Sequence, residues 1–183
     1  AHGTRAVVVI PASRMAPAVQ RVVAGAPLAD VRALVEAHVQ FERSDVVVPL
    51  DWAARADDAI RAGVLDLFVA RNAETAVGYA SLTRETATWT GSAYGHLDCL
   101  FVDAAWRGTG TGRALFVAAL AHAAASGLPE VQWQTPAWNV DAAGAQTRAE
   151  QIRHDPGRPI SSRQDAGRSA GCVHGRTRTW LRT

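Results

Sequence analysis

Between His96 and Leu120 the chain reads HLDCLFVDAAWRGTGTGRALFVAAL, and two chemistries lie side by side in it. The first is proton chemistry, carried by Asp98 and His96, two residues apart in an apolar run. An ordinary aspartate titrates near ~3.9 and a histidine near ~6.5, so one suits a cation and the other a proton exchanged near neutrality. The second is anion binding. Arg107-Gly108-Thr109-Gly110-Thr111-Gly112-Arg113 follows the run and leads into an Ala- and Leu-rich stretch, Ala114 to Ala125. A strand, a glycine-rich turn and a helix start point successive backbone amides into one concavity, and the helix dipole adds positive charge. Glycine suits such a turn because it lets a phosphate approach the backbone and accepts positive φ. These residues predict a phosphorylated ligand.

The elements that must hold them read in order. Residues 1–18 form an N-terminal extension with a short strand at Ala6 to Ile10. Val19 to Ala24 predicts a strand. A helix runs from Pro27 to about Arg43, with Asp30 as its N-cap and Val31, Leu34, Val35, His38 and Val39 at helical spacing. Val46 to Leu50 is a connector, and Asp51 to Gly63 a second helix closed by glycine. Leu65 to Arg71 and Ala76 to Thr83 pair as a hairpin. Arg84 to Thr90 extends the second strand around a bend, and Gly91-Ser92 turns the chain into Tyr94 to Val102. After the helix beyond the glycine turn, Val131 to Thr135 is one more strand. The order is that of a mixed α/β domain, with a mostly antiparallel central sheet flanked by helices, over residues 19–145. Residues 146–183 are rich in arginine and lack hydrophobic periodicity, which predicts an atypical C-terminal tail.

Composition narrows the ligand. The chain has 183 residues, 48% of them hydrophobic and 20% charged, with a net charge of +2. That describes one globular domain with too little charge excess to argue for nucleic acid. No apolar run reaches the ~20 residues of a membrane span. Cys99 and Cys172 have no metal-ligand spacing, so no metal is expected, and a buried free thiol favours a reducing, cytoplasmic setting. All 19 basic residues are arginine, which excludes a Walker phosphate loop and lysine Schiff-base chemistry. A dinucleotide fingerprint needs G-x-G-x-x-G early in an alternating fold; here Arg113 stands where the third glycine should be, and antiparallel strands precede the turn.

What fits is Leu100-Phe101-Val102, four residues, then Arg107-x-x-Gly110-x-Gly112 and a helix. This resembles the acetyl-CoA signature R/Q-x-x-G-x-G/A of the GNAT superfamily of N-acyltransferases, over about Val19 to Ala143. Within it, LDCLFVDAAWRGTGTG and VQWQTPAWN look most like small-molecule acetyltransferases, including aminoglycoside-type enzymes. The resemblance implies a GNAT-like fold, acetyl-CoA as donor with CoA as product, a small amine as acceptor and a homodimer. It implies cofactor contacts from Leu100, Phe101, Val102, residues Arg107, Gly108, Thr109, Gly110, Thr111, Gly112 and Arg113, and Asn139, with the N–H of Leu100 polarising the thioester carbonyl.

On the catalytic side, alternation predicts that His96, Asp98, Leu100 and Val102 share one strand face and Leu97, Cys99 and Phe101 the other. Asp98 is the carboxylate that receives the substrate ammonium, and His96 the alternative base. Glu85 reads either as a solvated strand position or as a carboxylate of the acceptor groove. Trp89 on the same bent strand reads as packing, with a cationic sugar over its ring as the alternative. Glu42 and Asp45 flank the loop that the resemblance assigns to the acceptor; His38, Trp133 and Trp138 read as packing.

After Asn139 and Ala142 the family's N-x-x-A-x-x-F/Y-Y pattern fails, because Ala145 and Gln146 replace the aromatic pair and no tyrosine follows Tyr94. The usual final strand hairpin is also missing from the tail's patterning. Either the thiolate leaves without a tyrosine acid, or the C-terminus differs from that of its relatives. Two further readings compete with an N-acetyltransferase: an acyl-CoA-binding protein with impaired catalysis, and a nucleic-acid module using the arginine tail.

Overall fold

The computed structural model describes residues 17–136 and 176–182, with side chains described over 17–134. The elements are β1 (Ala18–Arg21), α1 (Ala29–Phe41), α2 (Trp52–Arg61), β2 (Leu65–Asn72), β3 (Thr75–Ala87), β4 (Ser92–Val102), α3 (Thr111–Ala125), β5 (Glu130–Pro136) and β6 (Arg176–Arg182). The six strands form one sheet in sequence order. All neighbours are antiparallel except β4 and β5, because α3 carries the chain back across the sheet between them.

The sheet is covered on both faces, as strict alternation along β2 shows. Phe68 and Ala70 pack with Leu115, Phe116 and Ala119 of α3. Leu67 and Val69 pack with Val31 and Leu34 of α1 and Ala56 of α2. Trp133 is buried on the α3 face and meets Phe116 edge-on at 5.3 Å, as its packing assignment requires.

Two expectations are corrected. Asp30 is not the N-cap of α1; that position is Leu28, and Asp30 lies in the first turn. Its carboxylate instead accepts from the Val31 and Ala76 amides, both at 3.0 Å, and pairs with Arg71 on β2, tying α1 to the β2–β3 hairpin. The tail is also not without a strand. Arg176–Arg182 pairs with β5 along its whole length, from Glu130↔Arg182 to Pro136↔Arg176. Backbone ladder bonds make that strand, and its arginines interrupt the hydrophobic pattern that sequence reading relies on.

A bulge lies at the middle of β4. Register runs Ser81↔Cys99 and then Leu82↔Leu97, so Asp98 has no partner residue on β3. The extra residue reverses the faces. Leu97 packs under α3, whereas Cys99 and Phe101 pack toward α1. Simple alternation, which put all three on one face, therefore fails at Asp98.

Candidate functional site

Beyond the bulge, β4 and β5 part. Their ladder has three pairs, Gly95↔Val131, His96↔Gln132 and Leu97↔Trp133, although both strands continue. From Asp98 to Val102, β4 thus presents to β5 an edge with no strand partner among the described residues. Leu100, at the centre of that edge, is 37% exposed. The bulge also takes the Cys99 amide out of regular pairing, and the hydroxyl of buried Ser81 accepts from it at 3.1 Å. Phe101 is buried, so it can reach a ligand in the cleft only through its backbone.

The glycine turn closes one end of this edge. Asp103 caps the short 3-10 turn Ala104–Trp106 through the Ala105 amide, at 2.9 Å. Gly108 and Gly110 then adopt φ of 74° and 88°, and Gly110 is the N-cap of α3. The first four amides of a helix have no intrahelical acceptor. Among the described residues no acceptor takes the amides of Gly108 through Arg113, and Ala114 is the first to bond back, to the Gly110 carbonyl at 3.0 Å. Thr109 holds the turn through its hydroxyl, which donates to the Trp106 carbonyl and meets the Thr111 hydroxyl, each at 2.7 Å. No carboxylate lies in the segment 107–113. Six amides without an acceptor among the described residues, a helix dipole and the exposed Arg113 make this a place that can take an anionic group.

Arg107 is arranged differently from what its place in the motif suggests. Its Nε donates to the Val102 carbonyl at 3.0 Å, and its guanidinium lies 4.4 Å from the centre of the Phe41 ring. The side chain braces the end of β4 against α1; what it offers the turn is backbone.

On the α1 side of β4 lies a polar cluster that sequence reading did not assemble. His38, read as packing, stacks on Phe101 at 4.8 Å and meets the Tyr79 hydroxyl through Nδ1 at 2.8 Å. Its Nε2 lies 3.8 Å from Glu42 at the C-cap of α1. Burial holds the His38 pKa below its ordinary value, with Arg107 acting the same way and Glu42 and Asp98 opposing. Asp98 is exposed and accepts from the Cys99 thiol at 3.5 Å. Burial, then the charge of Asp98, pushes that thiol up to about 12. Glu42 and Asp98 thus converge on His38, one from each side of the gap between α1 and β4.

The remaining expected residues disperse. His96 lies on the ladder side of the bulge, and its carbonyl accepts from Thr83. Glu85 is held by the Tyr94 hydroxyl on the neighbouring strand. Trp89 is corrected on both counts: it sits in the turn after β3 rather than on the strand, and it is 100% exposed rather than packed. A shallow cleft of about 450 Å³ lies along Glu36, Val39, Gln40, Ser44, Asp45, Val46 and Val48, on the side of α1 turned away from the sheet. Asp45 belongs there and not with Asp98. Asn139, Trp138 and Cys172 lie outside the described residues.

The model of the Acetyltransferase (GNAT) family matches residues 32–148, which take in most of α1, the bulged β4, the glycine turn and β5. The chain belongs to this family. It is an acyltransferase. Its fold is shared with an aminoglycoside acetyltransferase from an uncultured soil metagenomic sample, solved with trehalose and with sisomicin: TM-score 0.63 at 18% identity, over 73% of this chain and 86% of that one. A ribosomal-protein-alanine N-acetyltransferase from Brucella melitensis biovar Abortus superposes with a TM-score of 0.55 at 19% identity, over 74% and 90% of the two chains. No curated protein sequence matches this one. Among the described residues no helix is long and apolar enough to cross a membrane.

Proposed function

We propose that this GNAT acetyltransferase moves an acetyl group from acetyl-CoA to a primary amine of a small polycationic molecule of the aminoglycoside class. The observation that carries the reading is the row of amides without an acceptor at Gly108 through Arg113, set at the end of the unpaired β4 edge. That row fits a pyrophosphate, and the edge beside it fits an extended amide-bearing arm that binds as a strand would. The backbone of Leu100 and Val102 lines that arm, and the Leu100 N–H polarises the thioester carbonyl as charge develops on it. Asp98, exposed at the bulge, receives the acceptor ammonium, and Glu42 adds a second carboxylate. Two carboxylates facing one gap favour an acceptor with more than one cationic nitrogen.

The test is calorimetry with acetyl-CoA, followed by thiol release with a panel of aminoglycosides and polyamines. Micromolar binding and acetylation of at least one polyamine or aminoglycoside, lost in Asp98→Ala with binding retained, is the expected result. No binding of acetyl-CoA overturns the cofactor assignment. Binding without thiol release for any amine leaves the acyl-CoA-binding reading in its place.

A further inference from the structure

We infer that Ser81 is a positioning residue for acyl transfer: its buried hydroxyl pins β4 just past the bulge, so that the Leu100 N–H faces the open edge of the strand. The inference rests on the acetyltransferase reading above and adds the side chain that aims the donor which polarises the thioester carbonyl.

Burying a hydroxyl is costly unless it is hydrogen-bonded, so each buried one calls for a partner. Among the described residues the buried polar side chains are Ser81, 6% exposed, and Thr111. Thr111 has its partner in the Thr109 hydroxyl, inside the glycine turn. Ser81 has the Cys99 amide, which donates to its Oγ at 3.1 Å. That bond falls at the break in register. Ser81 pairs with Cys99 and Leu82 with Leu97, so the hydroxyl grips the first residue after the extra Asp98.

The direction of the neighbouring amides follows. In an antiparallel ladder one residue turns both its N–H and its C=O toward the partner strand, and the next turns both away. From Ser81↔Cys99 to Gly78↔Val102 the register runs without a break. The Cys99 amide is turned toward β3 by Ser81, and the Asp103 amide, of the same parity, donates to the Val77 carbonyl at 3.0 Å. Leu100 and Val102 therefore turn both backbone groups away from β3, toward the side where the ladder with β5 has ended. The Val102 carbonyl agrees with that parity, because it accepts from Arg107 Nε at 3.0 Å.

The bulge is where this parity is decided. Without the extra residue, Leu100 would stand opposite Tyr79 and its N–H would face β3. Phe101, buried against α1, keeps the strand on its face, so the fold does not depend on Ser81 alone. What the hydroxyl fixes is the tilt of the peptides on either side of Cys99, the second of which carries the Leu100 N–H. Ser81 touches no reacting atom, and it neither gives nor takes a proton. It acts through the backbone of β4 on a donor whose hydrogen bond strengthens as charge develops on the carbonyl oxygen.

Ser81→Ala and Ser81→Thr test this by kcat, by affinity for CoA and by amide hydrogen exchange. Deleting an oxyanion donor costs about 10²–10³-fold in kcat, so misaiming one in Ser81→Ala should cost roughly 10- to 100-fold. Affinity for CoA should be unchanged, because the glycine turn is untouched. Ser81→Thr keeps the hydroxyl and should retain the wild-type kcat. Exchange reads the same geometry without turnover. In the free wild-type protein the Cys99 amide should be protected and the Leu100 amide should exchange fast, and acetyl-CoA should slow Leu100 while leaving Cys99 as it was. In Ser81→Ala the Cys99 amide should lose its protection. A serine that serves stability alone would lower Tm in Ser81→Ala and leave the kcat of the folded variant at the wild-type value, which overturns the inference. So does an equal loss of kcat in both variants. A Leu100 amide as well protected as that of Cys99 in the free wild-type protein overturns it too, and that measurement stands even where Ser81→Ala does not fold. Failure of the wild type to bind CoA or acetyl-CoA would instead overturn the acetyltransferase reading on which the inference rests.

Discussion

Replacing Gly110 with alanine separates two things that the turn before α3 combines, its backbone shape and its row of amides. Gly110 sits at φ 88°, ψ −4°, and a Cβ built there meets nothing within 4 Å. The cost is therefore backbone strain alone, about 1–2 kcal/mol for an L-residue in the left-handed region. Where that strain lands depends on what holds the turn. Around Gly110 the restraints are the two 2.7 Å bonds of the Thr109 hydroxyl and the 3.0 Å bond from the Ala114 amide to the Gly110 carbonyl; none of them takes an amide of the turn, so those amides are free to reorient in the unliganded protein. Binding must then rebuild the strained shape, and affinity for acetyl-CoA should fall roughly 5- to 30-fold, with Tm nearly unchanged. Gly63 supplies the control. It has φ 70° and equally open surroundings, but the Gly63 and Val64 amides bond back to the Ile60 and Ala59 carbonyls at 3.0 and 3.1 Å. Those bonds hold the shape, so Gly63→Ala should lower Tm by about 2–8 °C for a chain of this size and leave affinity alone. Isothermal calorimetry and scanning calorimetry on the two variants give all four numbers. Unchanged affinity in Gly110→Ala, or an equal loss in Gly63→Ala, would refute the amide cradle.

Gly112→Ala should be tolerated in stability, because its Cβ would sit 3.6 Å from Val102 Cγ2, an ordinary contact, within a helix; thermal melts check this. Trp89→Ala should shift stability by less than about 0.5 kcal/mol, since the side chain is fully exposed, and any effect should show only in the KM of an acceptor. Leu115→Ala removes a completely buried side chain between α3 and the sheet and should cost about 2–5 kcal/mol by urea unfolding. The Asp30 carboxyl is pushed up by its burial, but Arg71 and the Ala76 and Val31 amides outweigh that, and its pKa lies below the usual value. A depressed carboxylate stabilises the fold above its unfolded pKa of ~3.9 and loses that contribution as pH falls through the lower native value. Asp30→Asn should therefore be less stable than the wild type at pH 7, and the gap should close below about pH 3.9 in pH-dependent denaturation.

What was legible in the sequence was local. The glycine turn, the helix after it and the strand before it are encoded within one stretch of about thirty residues, and each depends on neighbours in the chain. The β2–β3 hairpin and the approximate extents of α1 and α2 follow from periodicity and turn residues in the same way, although the N-cap of α1 does not. From these the family resemblance could be read directly, and the family model that matches residues 32–148 agrees with it. Strand β6 could not be read so, because its pairing is with the backbone of β5 and makes no demand on the pattern of RTRTWLR beyond Thr and Trp, which favour strands.

Tertiary structure decided the rest, and most of it turns on Asp98. A period of two puts Asp98 on a face with Leu100 and His96, but the bulge opposite Ser81 and Leu82 breaks that period. It sends Cys99 toward α1, ends the ladder with β5 at Leu97 and opens the edge that holds Leu100. His38 reads as one more core position of an amphipathic helix until the fold sets it against Tyr79, forty-one residues away, and within the field of Asp98. A bulge depends on two strands meeting out of step, and a polar cluster such as that of His38, Tyr79 and Asp98 depends on three elements meeting at all. Neither leaves a mark in the spacing of residues along one strand. The sequence by itself therefore determined the glycine turn and the helix behind it, and only the tertiary structure decided which polar groups gather around the bulge.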